Sequence, residues 1–543
     1  MSSTGSMASR ASTASTTEAE TDVLIVGAGP VGLALALDLV WRRVPCIVLE
    51  ETDGQVTHPK VGTVGPRSME FFRRWGLAHA IRTAGWPGDH PLDVVWTTAL
   101  GGHEIHRLRF GSCDTRPPLP YTPEPEQVCP QHWLSPLLTH AVGVHPEGPL
   151  RPRCRLDSVI QHPDAVTASA TDLTDGSQLK FRSRYLVGCD GASSAVRKSC
   201  DIAAPAFHPT RVFRNILFRA PLLRERMGER GALVYFLAQP PDLRSLLRAM
   251  DGRELYRLTV SAETTPDEAA ASLIRRAVAL DTPLEFLTEH HWHLTHRVAE
   301  RFRDDRVLLA GDAAHALSPS GGFGMNTGIC DAADLGWKLA AQLAGWAGPA
   351  LLDSYDTERR PVAELSLLEA NTHLRRTLRR ELPPEIVLNT PEGARARARL
   401  AQRLQASGVC REFEAPDVHF GFRYTSPVII GDAQDSDGDW RTAALPGGRA
   451  PHAWLSGGTS VLDLFGPAFR LLCFADSERL GGFESAFADR RVPLLTARCH
   501  DRTVAGLYGR PFVLVRPDGH VAWRGRRLPP DPALLADTVR GAR

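Results

Sequence analysis

Short apolar runs recur along the chain, and a glycine or a glutamate follows each of them: residues 23–26, 46–49, 185–187 and 307–310. Uninterrupted apolar runs of this length are typical of strands buried in a parallel sheet. The first run leads into a long apolar stretch with helical spacing, and the last leads through a turn into another. The pattern predicts an α/β fold with a Rossmann-like domain.

From residue 212 the pattern changes to alternating, β-rich runs at residues 212–219, 232–237, 255–262 and 291–297. Such runs are typical of an antiparallel sheet. Between them, Thr265-Pro266-Asp267-Glu268 has the cap, proline and acidic first turn of a helix start. We therefore expect an inserted α+β domain that covers a substrate.

A smaller unit follows residue 421, with a strand predicted at 469–474, a helix at 482–490 and a hairpin at 512–523. Asp518-Gly519 is a strong hairpin signal. The predicted organisation is a disordered Ser/Thr/Ala-rich tail (1–20), three parts of the cofactor domain (21–86, 114–205 and 298–420, the last with further helices), two parts of the substrate sheet (87–113 and 206–297) and a C-terminal domain (421–543).

Chain length, charge and cysteine content exclude several classes of partner. A chain of 543 residues needs more than one core, and its 63 basic and 62 acidic residues leave no footprint of nucleic-acid or membrane binding. No apolar run has the length of a transmembrane helix. The ten cysteines include no C-x-x-C pair and no metal-site spacing, which favours a reducing cytoplasm and no metal.

The first apolar run begins a dinucleotide-binding fingerprint. Gly27, Gly29 and Gly32 form G-x-G-x-x-G before a helix, and the second run ends in Glu50. The glycines let a pyrophosphate reach the helix N-terminus, where the macrodipole offsets its charge. An acid at the distance of Glu50 hydrogen-bonds a ribose.

Two later stretches repeat the order strand, acid, glycine and helix. Asp190-Gly191 precedes a predicted helix at 193–198, and Asp312 lies between the run 307–310 and the glycine-rich turn 318–324. Asp312 can accept hydrogen bonds from a polyol, and the turn lets backbone N–H groups approach an anion or a ring edge. The alternatives are a plain hairpin at Asp190-Gly191 and an ordinary glycine-rich turn after Asp312.

Other polar residues carry no signal of their own. Arg67 and Gln131 stand at predicted helix starts, where surface caps are common. Arg248 and Arg257 flank the predicted sheet and on composition alone are solvated surface charges. No side chain is identified as a dedicated catalytic acid or base.

The motifs Gly27–Gly32, Cys189-Asp190-Gly191 and Gly311-Asp312 resemble those of the single-chain FAD aromatic hydroxylases of the para-hydroxybenzoate hydroxylase fold. The C-terminal unit resembles the thioredoxin-like domain of the phenol-hydroxylase branch; without a C-x-x-C pair we expect a structural or oligomerisation role. The resemblance implies FAD as the cofactor, bound by Gly27, Gly29, Pro30, Gly32, Glu50, Arg67, Gln131, Asp190, Gly191, Asp312, Pro319, Gly322, Gly324, Met325 and Asn326.

Residues 67–76, 84–93, 212–221 and 318–328 more closely resemble the flavoenzymes of rebeccamycin and staurosporine assembly. Those enzymes work beside a cytochrome P450 and turn chromopyrrolic acid, a dicarboxylated bis-indole pyrrole, or a breakdown product of it, into an indolocarbazole aglycone by oxidation and decarboxylation. The resemblance implies a substrate site with two arginines as bidentate carboxylate partners; its residues are Val234, Arg248, Arg257 and Glu412.

The resemblance leaves the product open. Val234 agrees with the staurosporine branch, Arg257 with the rebeccamycin branch, and residues 238–246 with neither, so both an imide and a lactam aglycone are possible. A phenol or polyketide hydroxylase would have the same fold, and a non-catalytic flavoprotein that shelters an unstable intermediate is the alternative from another class. We expect a monooxygenase that uses O2, with NAD(P)H or a separate flavin reductase as electron source.

Overall fold

The helices and strands come from a computed structural model that describes residues 18–60, 62–240, 242–378, 382–431, 438–475 and 480–543. The α-helices are α1 (Pro30–Trp41), α2 (Pro66–Arg74), α3 (Ala78–Arg82), α4 (Gln131–Gly143), α5 (Ala195–Ser199), α6 (Leu223–Met227), α7 (Ala270–Val278), α8 (Phe323–Leu343), α9 (Pro349–Leu378), α10 (Pro391–Ala406), α11 (Pro416–Phe420), α12 (Gly481–Ala488), α13 (Arg502–Tyr508) and α14 (Pro532–Val539). In the described part of the chain no helix is long and apolar enough to cross a membrane.

The strands are β1 (Glu18–Val26), β2 (Cys46–Leu49), β3 (Thr63–Val64), β4 (Val94–Thr97), β5 (Glu104–Leu108), β6 (Gln127–Val128), β7 (Leu150–Arg151), β8 (Cys154–Gln161), β9 (Val166–Asp172), β10 (Gln178–Gly188), β11 (Arg211–Arg219), β12 (Val234–Gln239), β13 (Asp242–Ala249), β14 (Leu255–Ser261), β15 (Glu285–Leu294), β16 (Arg297–Val298), β17 (Arg303–Asp304), β18 (Val307–Leu309), β19 (His315–Ala316), β20 (Phe469–Cys473), β21 (Leu494–Arg498), β22 (Phe512–Val515) and β23 (Val521–Gly525).

The apolar runs form the centre of a mixed sheet in the order β17-β18-β10-β1-β2-β7, with β9 and β8 added beside β10. Strands β2, β1, β10 and β18 are parallel, and α1 and α8 pack together against them. Strand β1 begins at Glu18, which pairs with Lys180, so residues 18–20 do not belong to the predicted tail. Residues 1–17 of that tail lie outside the described residues.

An antiparallel sheet in the order β15-β11-β14-β13-β12-β4-β5 follows, interrupted by one parallel pair, β12 with β4. Its strands lie within the ranges predicted for the substrate sheet. Strand β13 was missed because Asp242–Ala249 does not alternate between apolar and polar residues. The predicted helix start at Thr265 is wrong: the Thr265 hydroxyl donates to the Ser261 carbonyl (2.9 Å), and α7 begins at Ala270.

The C-terminal sheet has the order β21-β20-β22-β23, with β20 and β21 parallel and β22 and β23 antiparallel. Helices α12, α13 and α14 follow β20, β21 and β23. This is the thioredoxin topology, and the predicted α/β class with an antiparallel insert and a thioredoxin-like domain is confirmed.

The hairpin β22–β23 packs against α8 and α9 of the first domain. Arg516 donates to Glu358 (2.7 and 2.9 Å) and to Asp334 (2.9 Å), and Lys338 bonds both carboxylates from the other side (2.7 and 2.8 Å). All four side chains are buried. The C-terminal domain is therefore held to the first domain by buried charges as well as by apolar contact.

Candidate functional site

A cavity of about 920 Å³ lies between the N-termini of α1 and α8 and one face of the antiparallel sheet. It brings together most of the residues predicted to bind cofactor and all of those predicted to bind substrate. The predicted residues in its wall are Gly29, Pro30, Gln131, Gly191, Asp312, Pro319, Gly322, Gly324, Met325, Asn326, Val234, Arg248, Arg257 and Glu412. Gly27, Gly32, Glu50, Arg67 and Asp190 are predicted site residues that do not form this wall.

The motif glycines fall into two kinds. A Cβ at Gly27 would stand 2.5 Å from the Cys189 carbonyl oxygen, and one at Gly32 would stand 2.0 Å from the Gly27 carbonyl oxygen. A Cβ at Gly29 or Gly191 would meet no protein atom within 4 Å. Gly27 and Gly32 therefore permit close packing of the chain, whereas Gly29 and Gly191 leave space at the cavity.

Two of the predicted acids are already bonded within the protein. Glu50 accepts from the Ala28 N–H through Oε2 (2.8 Å) and from Thr52 through Oε1 (2.6 and 2.9 Å). Asp190 accepts from the Ser194 hydroxyl (2.6 Å) and the Val196 N–H (3.0 Å), and so caps α5. Both carboxylates hold the turns that surround the cofactor end of the cavity.

Asp312 and Asn326 lie close to the N-terminus of α8 and differ in their contacts. The exposed Asp312 carboxylate makes none of the hydrogen bonds or ion pairs found among the described residues, so it is open to the cavity. Asn326 accepts from Gly65 N–H (2.7 Å) and Ser68 (2.8 Å) and donates to the Thr63 and Gly322 carbonyls (3.0 and 2.8 Å). Its side chain fastens α8 to the start of α2.

Arg67 does not form part of the cavity wall, and its role in binding the cofactor stays a prediction. Its guanidinium donates to Glu70 (2.8 Å) and to the Asp518 carbonyl (2.9 Å) in the C-terminal hairpin. Glu70 also accepts from Arg449 (3.0 Å) of the C-terminal part. Arg67 thus belongs to the interface between domains.

Three of the four predicted substrate residues form one row across the sheet. Val234 pairs with Arg248, and Arg248 pairs with Arg257, on neighbouring antiparallel strands. Directly paired residues point to the same face, about 4.5 to 5.5 Å apart at Cβ. Two arginines therefore stand side by side in the cavity wall.

Neither arginine has a carboxylate partner among the described residues. Arg248 donates to Thr63 Oγ1 (2.8 Å), and Arg257 donates to the Pro59 carbonyl (3.3 Å) while its Nε is buried without a partner. Burial, with the adjacent Arg257, lowers the pKa of Arg248 to about 9, and burial lowers the pKa of Arg257 to about 10. Such a pair favours an anionic ligand.

Aromatic rings lie beside the arginine row, and a separate segment carries the fourth predicted substrate residue. The short 3-10 helix Val409–Glu412 follows α10 and brings Glu412 to the cavity. Next to it, the Phe413 ring packs edge-to-face on Phe236 and Trp96, with centroids 6.1 and 6.4 Å apart. Aromatic rings and two arginines in the lining of one cavity suit a flat aromatic ligand with an acidic group.

Several other residues in the cavity wall were not predicted from the sequence. Phe213 and Trp292 stack 5.2 Å apart, and the Trp292 Nε1 is buried without a partner. Arg116 and Glu126 come from an irregular, proline-rich loop before β6. Strand alternation could have suggested the aromatic pair, but the loop has no local pattern that points to a site.

The residues at the α1 and α8 end fit FAD. The helix N-termini offer unpaired N–H groups for a pyrophosphate and a ring edge, open space lies beside Gly29 and Gly191, and Asp312 is unpaired beside them. A family model described as "FAD binding domain" matches residues 20–370, and one described as "Aromatic-ring hydroxylase, C-terminal" matches residues 443–541. The chain belongs to this family of FAD-dependent aromatic-ring monooxygenases, and its cofactor is FAD.

Among solved structures, the chain is similar to RebC with bound 7-carboxy-K252c, at 58% identity and a TM-score of 0.93, over 97% of this chain and 100% of RebC. It is also similar to aklavinone-11 hydroxylase with FAD and aklavinone, at 28% identity and a TM-score of 0.81, over 96% of this chain and 99% of that one. Tetracenomycin A2 monooxygenase-dioxygenase of Streptomyces glaucescens is 31% identical over 95% of both chains.

Proposed function

We propose that this flavin monooxygenase oxidises and decarboxylates a bis-indole dicarboxylate derived from chromopyrrolic acid, and releases an indolocarbazole aglycone. The observation that carries the proposal is the Arg248–Arg257 pair, which faces the cavity and forms no ion pair with a carboxylate among the described residues. Support comes from the 58% identity to RebC, whose structure holds 7-carboxy-K252c.

The residues divide the task between the two ends of the cavity. The arginines hold the carboxylates, while Phe236 and Phe413 cover the aromatic body and exclude water. At the other end, the N–H groups at Gly324 and Met325 stabilise negative charge at the edge of the cofactor ring. FAD, when bound and reduced, supplies the activation of O2.

Three further partners belong to this proposal. A cytochrome P450 supplies the oxidised bis-indole, as the resemblance to the rebeccamycin enzymes implies. NAD(P)H or a flavin reductase supplies electrons. The reaction takes place in the cytoplasm, in keeping with ten free cysteines among the described residues.

A second candidate is hydroxylation of a neutral polyketide ring, because a relative that is 34% identical is named a putative polyketide hydroxylase. A neutral ring makes no use of two guanidinium groups that form no ion pair within the described part of the chain. The two candidates therefore differ in whether affinity depends on Arg248 and Arg257.

The test is to replace each arginine by Met, singly and together, and to measure affinity for chromopyrrolic acid by flavin fluorescence. Loss of one charge-assisted contact costs about 1.5 to 3 kcal/mol, so we expect roughly ten- to hundredfold weaker binding for each variant. FAD content should stay unchanged.

Arg219→Met is the matched control, since Arg219 lies on β11 of the same sheet and pairs at the surface with Glu285 (2.9 Å). It should bind like the wild type. If the Arg248/Arg257 double variant keeps full affinity, the proposal that these arginines bind the substrate carboxylates is wrong. The result would then favour hydroxylation of a neutral polyketide.

A further inference from the structure

Glu126 is a carboxyl group in the cavity wall that no flavin motif and no predicted contact accounts for. Its carboxyl makes none of the hydrogen bonds or ion pairs found among the described residues, and only its backbone carbonyl is held, by the Arg116 guanidinium. The residue immediately precedes β6. The chain thus presents an acid to the cavity on a fixed backbone.

Strand pairing places this acid beside the proposed carboxylate anchor. Gln127 and Val128 of β6 pair with Val64 and Thr63 of β3. Thr63 in turn accepts the Arg248 Nη2 hydrogen bond at 2.8 Å. The positive charge of Arg248 lowers the pKa of Glu126, although the two side chains form no ion pair.

The surroundings of Glu126 raise the pKa of its carboxyl group. Burial raises its pKa, the positive charges of Arg116 and Arg248 act in the opposite direction, and Glu414 raises it further. Tyr121 also interacts with Glu126, and its own pKa is raised by burial and by the Glu126 charge. A carboxyl group that keeps its proton can donate it within the cavity.

We propose that Glu126 is the acid that protonates the substrate carbon from which CO2 leaves. This inference rests on the proposed function and assigns its decarboxylation step to a residue. The carboxylate held at Arg248 remains attached to a pyrrole carbon, and Glu126 adds its proton to that carbon. The bond to the carboxylate carbon then breaks, its electron pair returns to the ring, CO2 leaves, and a C–H bond remains.

The step balances without an oxidant. One proton is consumed for each CO2 released, and Glu126 regains its proton from solvent after product release. Oxidation of the ring is a separate event at the flavin end of the cavity. Replacing Glu126 should therefore separate decarboxylation from substrate binding and from flavin reduction.

The experiment compares wild type, Glu126→Gln, Glu126→Asp and Glu414→Gln with chromopyrrolic acid and a partner P450, and counts carboxyl groups in the products by mass spectrometry. Glu414 is the matched control because it lies near Glu126 but outside the cavity wall. We expect Glu126→Gln to bind within about twofold of wild type but to decarboxylate at least about tenfold more slowly, with carboxylated product accumulating. Glu126→Asp should recover part of the rate, and Glu414→Gln should match the wild type.

A pH profile on the unmodified enzyme covers the case in which Glu126→Gln fails to fold. Because the acid must be protonated, wild-type decarboxylation should be present at low pH and fall as pH rises through the raised pKa of Glu126. A rate that stays flat between about pH 5 and 9 overturns the proposal.

Two other outcomes also overturn it. One is a Glu126→Gln enzyme that decarboxylates as fast as the wild type. The other is a parallel loss of affinity and decarboxylation in both Glu126 variants, which would make Glu126 a binding residue only. A wild type that neither binds nor converts the dicarboxylate overturns the proposed function itself, and this assignment with it.

Discussion

At the scale of single residues, the glycines of one motif have different roles that only their neighbours reveal. Gly27 and Gly32 are required because other backbone atoms occupy the position of a side chain. Gly29 faces open space at the N-terminus of α1, where the pyrophosphate of FAD is expected. The spacing G-x-G-x-x-G predicts all three glycines, but it does not show which of them pack against the backbone and which faces the cofactor.

Gly29→Asp should abolish FAD binding without unfolding the protein. The new side chain finds open space, but its carboxylate lies where the pyrophosphate must approach. We would measure FAD content by absorbance and the melting temperature of the apoprotein. Gly32→Ala should instead lower the melting temperature, because its Cβ would lie 2.0 Å from the Gly27 carbonyl oxygen.

Gly143→Asp is the control for added charge at an open glycine, since no atom lies within 4 Å of a Cβ at that position, at the far end of α4. It should retain FAD. A Gly29→Asp protein that is isolated yellow and fully loaded would disprove the assignment of this helix terminus.

Arg67 shows why a resemblance cannot predict the hydrogen-bond partners of a residue. It stands beside motif residues in sequence, yet its guanidinium bonds the Asp518 carbonyl, 451 residues away. Asn326 does line the cavity, but its side chain is bonded to four protein groups. Sequence position identifies the neighbourhood, whereas the partner of a polar group depends on which distant segment packs there.

At the scale of elements, the hairpin β22–β23 was predicted from Asp518-Gly519, but its burial was not. Charged residues at a hairpin tip are usually exposed. Here Arg516 and Asp518 are buried, with Arg516 bonded to three carboxylates. Burial would raise the pKa of Glu358, but Arg516 and Lys338 hold it below its usual value.

Arg516→Met should destabilise the protein by about 3 to 5 kcal/mol, because it leaves buried carboxylates with Lys338 as their remaining cation. Denaturant unfolding measures this loss. Arg490→Met is the control: Arg490 pairs with Asp537 (2.8 Å) at the domain surface and should change stability by about 1 kcal/mol or less. Equal losses in the two variants would refute the special role of the hairpin.

Strands β13 and β15 mark the limit of pattern-based prediction in the substrate sheet. The sequence placed the last strand at 291–297, whereas β15 spans Glu285–Leu294, and it placed no strand at Asp242–Ala249. Both carry polar residues on both faces, and both contribute residues to the cavity wall. The alternation that identifies half-buried strands is lost where the sheet forms a site.

At the scale of the whole molecule, the domain types could be predicted because each has a strong local signature, such as the G-x-G-x-x-G turn or the Asp518-Gly519 hairpin. The residues that form the cavity could not be predicted from those signatures. Its wall joins Gly29, Glu126, Arg257 and Glu412, which come from four separate stretches of the chain. Which of their side chains share a face depends on strand register, which the sequence leaves undetermined.

Thr63 connects the two ends of this cavity. Its carbonyl accepts from Asn326, at the start of α8, and its hydroxyl accepts from Arg248 (3.0 and 2.8 Å). A ligand that orders one end therefore orders a group at the other. By thermodynamic reciprocity, the factor by which FAD raises affinity for the dicarboxylate must equal the factor by which the dicarboxylate raises affinity for FAD.

Thr63→Val removes the hydroxyl link and keeps the carbonyl, so it should reduce this shared factor, which is about fivefold or more in typical coupled sites. Titration calorimetry of each ligand, with and without the other, measures both factors. Thr171→Val, on strand β9, removes a surface hydrogen bond to Asp157 and should leave them unchanged. Equal coupling in Thr63→Val and wild type would contradict the link. Loss of the coupling in Thr63→Val would mean that the wild-type enzyme holds its substrate less tightly when flavin is absent.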